Sequence, residues 1–138
     1  MQYFVDENEL ISFIYGGVSS TLYSLYVLNV QGLNNAFERD IKFIEVPGRN
    51  GDLIIDNNRR KSKEIRIEGF IDFEKSYIES FEDLCSEIEN WLQGEVELNT
   101  LKFSNSYKSY NAICTSVEID EVIENLGEVT MKFNIQPS

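Results

Sequence analysis

Histidine is missing from the sequence altogether, and cysteine, proline and tryptophan are scarce. Without histidine, neither a Ser-His-Asp triad nor a Cys-His pair can be built, which removes two common arrangements for nucleophilic hydrolysis. Cys85 and Cys114 stand far apart with no C-x-x-C pair, so the chain offers too few ligands for a zinc site. Free cysteine is among the residue types most often buried, and we therefore expect two small buried thiols.

Positive charge is also in short supply. The chain has 12 Lys and Arg residues against 24 Asp and Glu residues, which gives a formal net charge of -12. Such a surface repels the phosphates of nucleic acid over most of its area. No apolar run approaches the roughly 20 residues that span a bilayer, and Met1 to Glu9 is acidic where a signal peptide would be basic. We expect a soluble protein made in the cytoplasm, with no specific nucleic-acid binding and no membrane insertion.

Known ligand-binding loops are absent as well. The sequence contains neither the P-loop pattern nor the G-x-G-x-x-G pattern that cradles nucleotide phosphates. Asp52 and the run from Asp56 to Asn58 lack the alternating acids, glycine and closing glutamate of a calcium loop. Acid pairs such as Glu118 and Asp120 could serve a glycosidase, but such pairs arise by chance among so many carboxylates. The sequence predicts no catalytic residue, no metal and no cofactor, with an acid-pair hydrolase as a minor alternative.

The residues that are present suit a folded core. The chain has 138 residues, the length of one domain, and 42% of them are hydrophobic, including 9 Phe and 7 Tyr. Apolar and polar residues alternate through Ile65 to Phe73 and Glu128 to Gln136, the period typical of strands with one wet face. Gly69 interrupts the first of these and indicates a bulge. Further strands are predicted at 22–30, 41–46, 53–55, 96–103 and 110–119.

One amphipathic helix is predicted from Tyr77 to Gln93. Ser76 and Glu79 match a capping box at its start, and Gly94 follows its last apolar residue. An apolar stripe at helical spacing comprises Ile78, Phe81, Leu84, Cys85, Ile88, Trp91 and Leu92. Because Trp91 lies on this stripe, we expect it in the core and not as a sugar-stacking platform. The order of elements favours a mainly antiparallel α+β fold, a β-sandwich or small barrel-like sheet with this helix packed on it.

Two local features are candidate contact surfaces. Three turn formers and an Asn-Gly step fall between apolar segments and predict a β-hairpin turn: Pro47, Gly48, Arg49, Asn50 and Gly51. Arg49 at the tip is either a solvated loop residue or a charged contact to a neighbouring acidic subunit. The stretch from Asp56 to Lys63 reverses the sign of an acidic chain through Arg59, Arg60, Lys61 and Lys63.

Several short motifs, taken in order, resemble the N-terminal domain of phage distal tail proteins. They are Glu45 to Leu53 (EVPGRNGDL), Ile88 to Leu92 (IENWL), Tyr110 to Ala112 (YNA) and Gly127 to Phe133 (GEVTMKF). The similarity covers roughly Leu25 to Pro137. It implies a β-sandwich-like domain with one helix, which assembles as a homohexameric ring at the tip of a long tail, between the tail tube and the baseplate or host-adsorption apparatus.

The resemblance further implies a virion structural protein of a bacteriophage or prophage, placed in the virion tail after assembly in the bacterial cytoplasm. Its partners would be copies of itself and other tail proteins, namely the tail tube and tail-associated hub or fibre proteins. The hypothesised subunit-interface residues are Pro47, Gly48, Arg49, Asn50, Gly51, Arg59 and Arg60. Residues 1–138 are expected to form one such domain, without the C-terminal attachment domain of longer members. A tail-tube or other baseplate subunit and a carbohydrate-binding β-sandwich remain as alternatives.

Overall fold

The computed structural model describes residues 10–75, 78, 80–123 and 126–138. Within these ranges the chain forms nine strands and one α-helix. The strands are β1 Phe13–Tyr15, β2 Val18–Ser19, β3 Leu25–Gln31, β4 Arg39–Glu45, β5 Asp52–Arg60, β6 Lys63–Asp72, β7 Asn99–Phe103, β8 Ser109–Ile123 and β9 Leu126–Gln136. The helix α1 spans Phe81–Gln93, and two short 3-10 helices cover Ser20–Tyr23 and Phe73–Lys75.

Seven strands form one antiparallel sheet in the order β2-β1-β7-β8-β9-β6-β3, and β4 pairs with β5 in a separate two-stranded sheet. The backbone N–H of Val27 in β3 donates to the carbonyl of Ile11, two residues before β1, at 2.7 Å. Since β3 is one edge of the sheet and β1 lies next to the other edge, this bond requires the sheet to roll upon itself. The predicted antiparallel α+β fold with a single helix is confirmed.

The core lies on the inner face of this rolled sheet. Alternate residues of β6 and β9 point inward and are fully buried, among them Ile65, Ile67, Met131 and Phe133. The helix covers this face with Leu84, Ile88 and Leu92, which recur at the spacing of one helical side. Each of these side chains contributes about 1.5 to 3 kcal/mol through its burial. Among the residues described, no helix combines the length and apolar character that a membrane crossing requires.

The helix begins at Phe81, four residues later than the predicted start at Tyr77. The hydroxyl of Ser80 accepts the backbone N–H of Asp83 at 3.2 Å and caps the first turn. Ser80 and Asp83 repeat the pattern of Ser76 and Glu79, and the acids of the first turn, Glu82 and Asp83, stabilise the positive end of the helix dipole. Ser76, Tyr77 and Glu79 themselves lie outside the described residues, whereas the end of the helix at Gln93 was predicted correctly.

Gly69 marks a close approach between two strands, as its position in β6 indicated. The β3–β6 register shifts between Val27 and Asn29, so a bulge in β3 lies beside Gly69. A Cβ atom on Gly69 would stand 2.4 Å from the carbonyl oxygen of Tyr26. Only a residue without a side chain fits at this point.

Candidate interaction surface

The β4–β5 hairpin stands apart from the seven-stranded sheet. Its ladder runs from Glu45 opposite Asp52 to Arg39 opposite Arg60, and neither strand is paired with a strand of the larger sheet. In the predicted turn, Gly48 and Gly51 have φ angles of 79° and 82°, which glycine adopts without strain. A two-stranded hairpin is marginally stable by itself in water, so it gains from any partner that covers it.

Both faces of the hairpin carry exposed apolar side chains. Phe43 and Ile54 lie directly opposite each other on one face and are 58% and 62% exposed. Leu53 and Ile55 are also exposed and lie on the other face, because successive residues of a strand point to opposite sides. Contiguous exposed apolar groups mark surfaces that contact another molecule. The hairpin is therefore a candidate interaction surface on both of its faces.

A bulge shapes the base of the hairpin. The register shifts between Arg39 and Ile41, so that Asp40 faces the three residues 57–59 of the other strand. Asn58 lies at the centre of the bulge with a φ of 58°, a region that asparagine tolerates better than most residues. Its backbone N–H donates to Oδ1 of Asp56 at 2.8 Å. The bulge is therefore held by local side-chain hydrogen bonds where the ladder is interrupted.

Asp40 fastens the two sides of this bulge. Nε of Arg59 donates to Oδ2 of Asp40, and Nδ2 of Asn57 donates to Oδ1 of Asp40 at 3.2 Å. Arg59, and after it Asn57, hold the pKa of the Asp40 carboxyl below its ordinary value, because both partners favour the ionised form. The side chain of Arg59 nevertheless remains 74% exposed. Arg59 can therefore contact another molecule while it stays paired with Asp40.

Arginines gather at the base of the hairpin around a cleft of about 390 Å³. The cleft is lined by Arg39, Asp56, Asn58, Arg59, Arg60, Pro137 and Ser138. Nη1 of Arg60 donates to the backbone carbonyl of Phe37 at 3.0 Å. This carbonyl is a neutral acceptor, so it does not balance the charge of Arg60. In the part of the chain that the structure describes, Arg59 alone among the three arginines forms an ion pair with a carboxylate. Because guanidinium groups bind carboxylates through paired hydrogen bonds, this cleft suits an acidic partner.

Lys63 belongs to the predicted basic run but takes no part in the cleft. Its Nζ donates to the carbonyls of Leu33 and Asn35 at 2.6 and 2.8 Å, and it lies 4.7 Å from the ring centroid of Phe37. Burial lowers the pKa of this ammonium group. Lys63 thus holds the loop that leads into β4.

The predicted interface residues fall into two groups at opposite ends of the hairpin. Pro47 to Gly51 form the exposed turn, whereas Arg59 and Arg60 lie at the base. Arg59 lies eight positions after Gly51, about 26 Å along β5 at 3.3 Å per residue. The structure therefore does not bring the seven residues into one site.

The exposure of the apolar residues of the hairpin was not predicted from the sequence, which assigned them only to strands. A signal was present: Phe43 and Ile44 are consecutive apolar residues in β4, as are Leu53, Ile54 and Ile55 in β5. A strand with one wet face alternates, so consecutive apolar residues predict apolar groups on both faces. The pattern indicates that both faces are to be covered, but it cannot say whether the cover comes from the same chain.

The two cysteines and Trp91 lie in and around the core. Cys114 is buried and Cys85 is partly buried. Trp91 packs on the core, and its Nε1 donates to the carbonyl of Tyr15 at 3.0 Å, as its place on the apolar stripe predicted. Across the described ranges, no group of three or more His, Cys, Asp or Glu side chains is arranged to hold a metal ion.

Comparison with known proteins gives a structural likeness and no match in sequence. No protein-family model matches the chain, and no curated protein matches it either. Similar solved structures include the Dit (gp 19.1) protein of phage SPP1, described as a paradigm of the hub adsorption apparatus in phages that infect Gram-positive bacteria. The two proteins share 17% sequence identity, with a TM-score of 0.69 over 93% of this chain and 50% of the SPP1 chain. The chain thus spans about half the length of that protein and shares its fold.

Proposed function

We propose that this chain is a structural component of a bacteriophage or prophage tail tip, where copies of it form a ring that joins the tail tube to the baseplate or host-adsorption apparatus. The observation that carries the proposal is the β4–β5 hairpin, which presents apolar side chains on both of its faces, in a chain whose fold is similar to that of a phage hub protein. The structural likeness to that protein supports it, and the ordered motifs of the sequence led to the same expectation.

The exposure of the hairpin supports self-assembly in particular. Phe43 and Ile54 on one face and Leu53 and Ile55 on the other would each be removed from water by a neighbouring protein. In a ring of identical subunits, every copy offers the same hairpin and the same receiving surface. We propose six copies as the ring size, with the tail tube and hub or fibre proteins as further partners.

The proposal extends to the domain organisation. Residues 1–138 would form one domain equivalent to the N-terminal domain of distal tail proteins. The seven predicted interface residues would then contact different neighbours, because the turn around Arg49 is far from the base of the hairpin around Arg60.

The first experiment is the mass of the purified chain in solution, measured by light scattering at several concentrations, together with negative-stain images. We expect a closed ring whose mass is six times the 16.0 kDa of one chain. If the chain stays monomeric at every concentration and binds immobilised glycans, it is a carbohydrate-binding module and not a ring component.

A further inference from the structure

Two pairs of like charges face each other across neighbouring strands of this chain. The β4–β5 register places Arg39 directly opposite Arg60, and the β8–β9 register places Asp120 directly opposite Glu128. Residues in such positions have Cβ atoms about 5 Å apart, and like charges there are destabilising. All four side chains are exposed. In the described part of the chain none of the four has an ion-pair partner, since the pairs there are Arg59–Asp40 and Arg66–Glu68.

The two pairs have opposite sign but cannot meet within one chain. Arg39 and Arg60 line the cleft that Pro137 and Ser138 border, just beyond the end of β9. Asp120 and Glu128 lie near the start of β9, since Glu128 is paired with Phe70 while Ile135 is paired with Lys63. Ile135 lies seven positions after Glu128, about 23 Å along the strand. The negative pair therefore lies at one end of the seven-stranded sheet, and the positive pair lies beside the other end, on the separate β4–β5 hairpin.

We infer that the arginine pair of one copy binds the carboxylate pair of the next copy, in a head-to-tail contact between identical chains. The inference deepens the proposed ring and rests on it. A contact that joins one end of a subunit to the opposite end of its neighbour is heterologous, and it forms a ring when the rotation between subunits closes. Each pair supplies the counter-charge that the other pair lacks, so the contact relieves both repulsions.

Exposed apolar side chains lie on the same hairpins as both charged pairs and fit the same contact. Phe43 and Ile54 are exposed further along the hairpin that carries the arginines. At the other end, Val122 and Ile123 follow Asp120 in β8 and are 59% and 61% exposed. One head-to-tail contact can thus bury apolar surface from both copies and match their charges. Buried apolar surface supplies affinity, whereas the charges set orientation and partner choice.

The test exchanges the charges at each end. One variant carries Arg39→Glu and Arg60→Glu, and a second carries Asp120→Lys and Glu128→Lys. Each alone places like charges across the contact, and we expect the apparent dissociation constant to rise by about 100-fold or more. In an equimolar mixture, every contact of an alternating ring again joins opposite charges. We therefore expect the mixture to recover the oligomer that neither variant forms alone.

A matched control reverses two exposed acids elsewhere, Glu87 on α1 and Glu95 in the turn after it. Glu87→Lys with Glu95→Lys changes the net charge as much as the second variant does, and the oligomer should persist. If the lysine variant does not fold, Asp120→Asn with Glu128→Gln takes its place. These substitutions remove both carboxylates, and with them the repulsion between Asp120 and Glu128, without adding positive charge. Light scattering gives the masses, and circular dichroism confirms the fold of each variant.

The outcomes separate the contact from the ring. If the wild-type chain assembles but the exchanged variants assemble equally well, the head-to-tail contact is wrong and the ring stands. The contact is also overturned if the mixture stays dissociated or if only the control variant dissociates. A wild-type chain that is monomeric throughout overturns the ring and the contact together.

Discussion

Arg59 and Asp40 join the two strands of the hairpin across its bulge, through a hydrogen bond from Nε to Oδ2 that is also an ion pair. Because this partner favours the ionised carboxylate, the pKa of Asp40 is lower in the folded chain than in the unfolded chain. A group of this kind stabilises the fold above its unfolded pKa. That contribution is lost as the pH falls through the folded pKa.

We therefore expect Asp40→Asn to loosen the base of the hairpin at neutral pH and to match the wild type once acid has protonated Asp40. Hydrogen exchange at residues 57–60 measures this opening as a function of pH. Asp52→Asn, at the turn end of β5, is the control and should leave exchange at the base unchanged. Equal exchange in Asp40→Asn and the wild type at neutral pH would mean that the ion pair does not hold the bulge.

Replacing the exposed apolar pair of the hairpin should affect assembly and spare the fold. Phe43→Ser with Ile54→Ser removes no core contact, so we expect the free energy of unfolding to change by about 0.5 kcal/mol or less per site. Self-association should weaken, as measured by light scattering. Val96 is 93% exposed in the loop after α1, and Val96→Ser is the matched control that should leave the oligomer intact. An oligomer that survives the hairpin substitutions would remove the hairpin from the interface.

Gly69→Ala should destabilise the protomer itself. The added Cβ would overlap the carbonyl oxygen of Tyr26, and relief requires β3 and β6 to move apart. We expect a loss of about 1 to 3 kcal/mol, the usual cost of overpacking. Urea unfolding followed by circular dichroism measures it, with Thr130→Ala on the outer face of β9 as a control expected to change stability much less. Full stability of Gly69→Ala would show that the two strands separate at little cost.

The two cysteines should differ in their reaction with thiol reagents. Burial raises the pKa of Cys114 to about 11, and burial also raises the pKa of the less buried Cys85. The thiolate is the reactive form, so both should react slowly at neutral pH, and Cys114 more slowly than Cys85. Mass spectrometry of Cys85→Ser and Cys114→Ser after timed labelling assigns each rate. Both thiols should react at similar rates in denaturant, and a Cys114 that labels first in the native protein would contradict its burial.

Elements with strong periodicity could be predicted from the sequence. The spacing of Leu84, Ile88 and Leu92 fixed the buried side of α1, and the alternation around Ile67 and Met131 fixed the inner faces of β6 and β9. Such patterns are reliable because burial of one face dominates the energetics of an amphipathic element. The predicted start of α1 was wrong because two pairs of residues, Ser76 with Glu79 and Ser80 with Asp83, match the same capping pattern. Local sequence alone does not show which of the two pairs caps the helix.

The candidate site was only partly predictable. The turn from Pro47 to Gly51 has a local signature, whereas the cleft depends on Arg39 and Arg60 meeting across a ladder and on the approach of Pro137. The like-charge pairs could not be predicted from the sequence either, because register shifts at Asp40 and between Cys114 and Ser116 decide which residues face each other. Short-range sequence patterns do not determine which residues of distant strands are paired.

Trp91 is the single tryptophan of the chain, and its indole lies against Phe13 and Tyr23 with its N–H bonded to the backbone of β1. Arg60 and Phe43, on the hairpin, belong to a sheet that is not paired with these strands. The tryptophan emission of this chain therefore reports the packing of the core within one subunit. Emission and light scattering recorded on one sample can separate an unfolded variant from a folded one that has lost its neighbours.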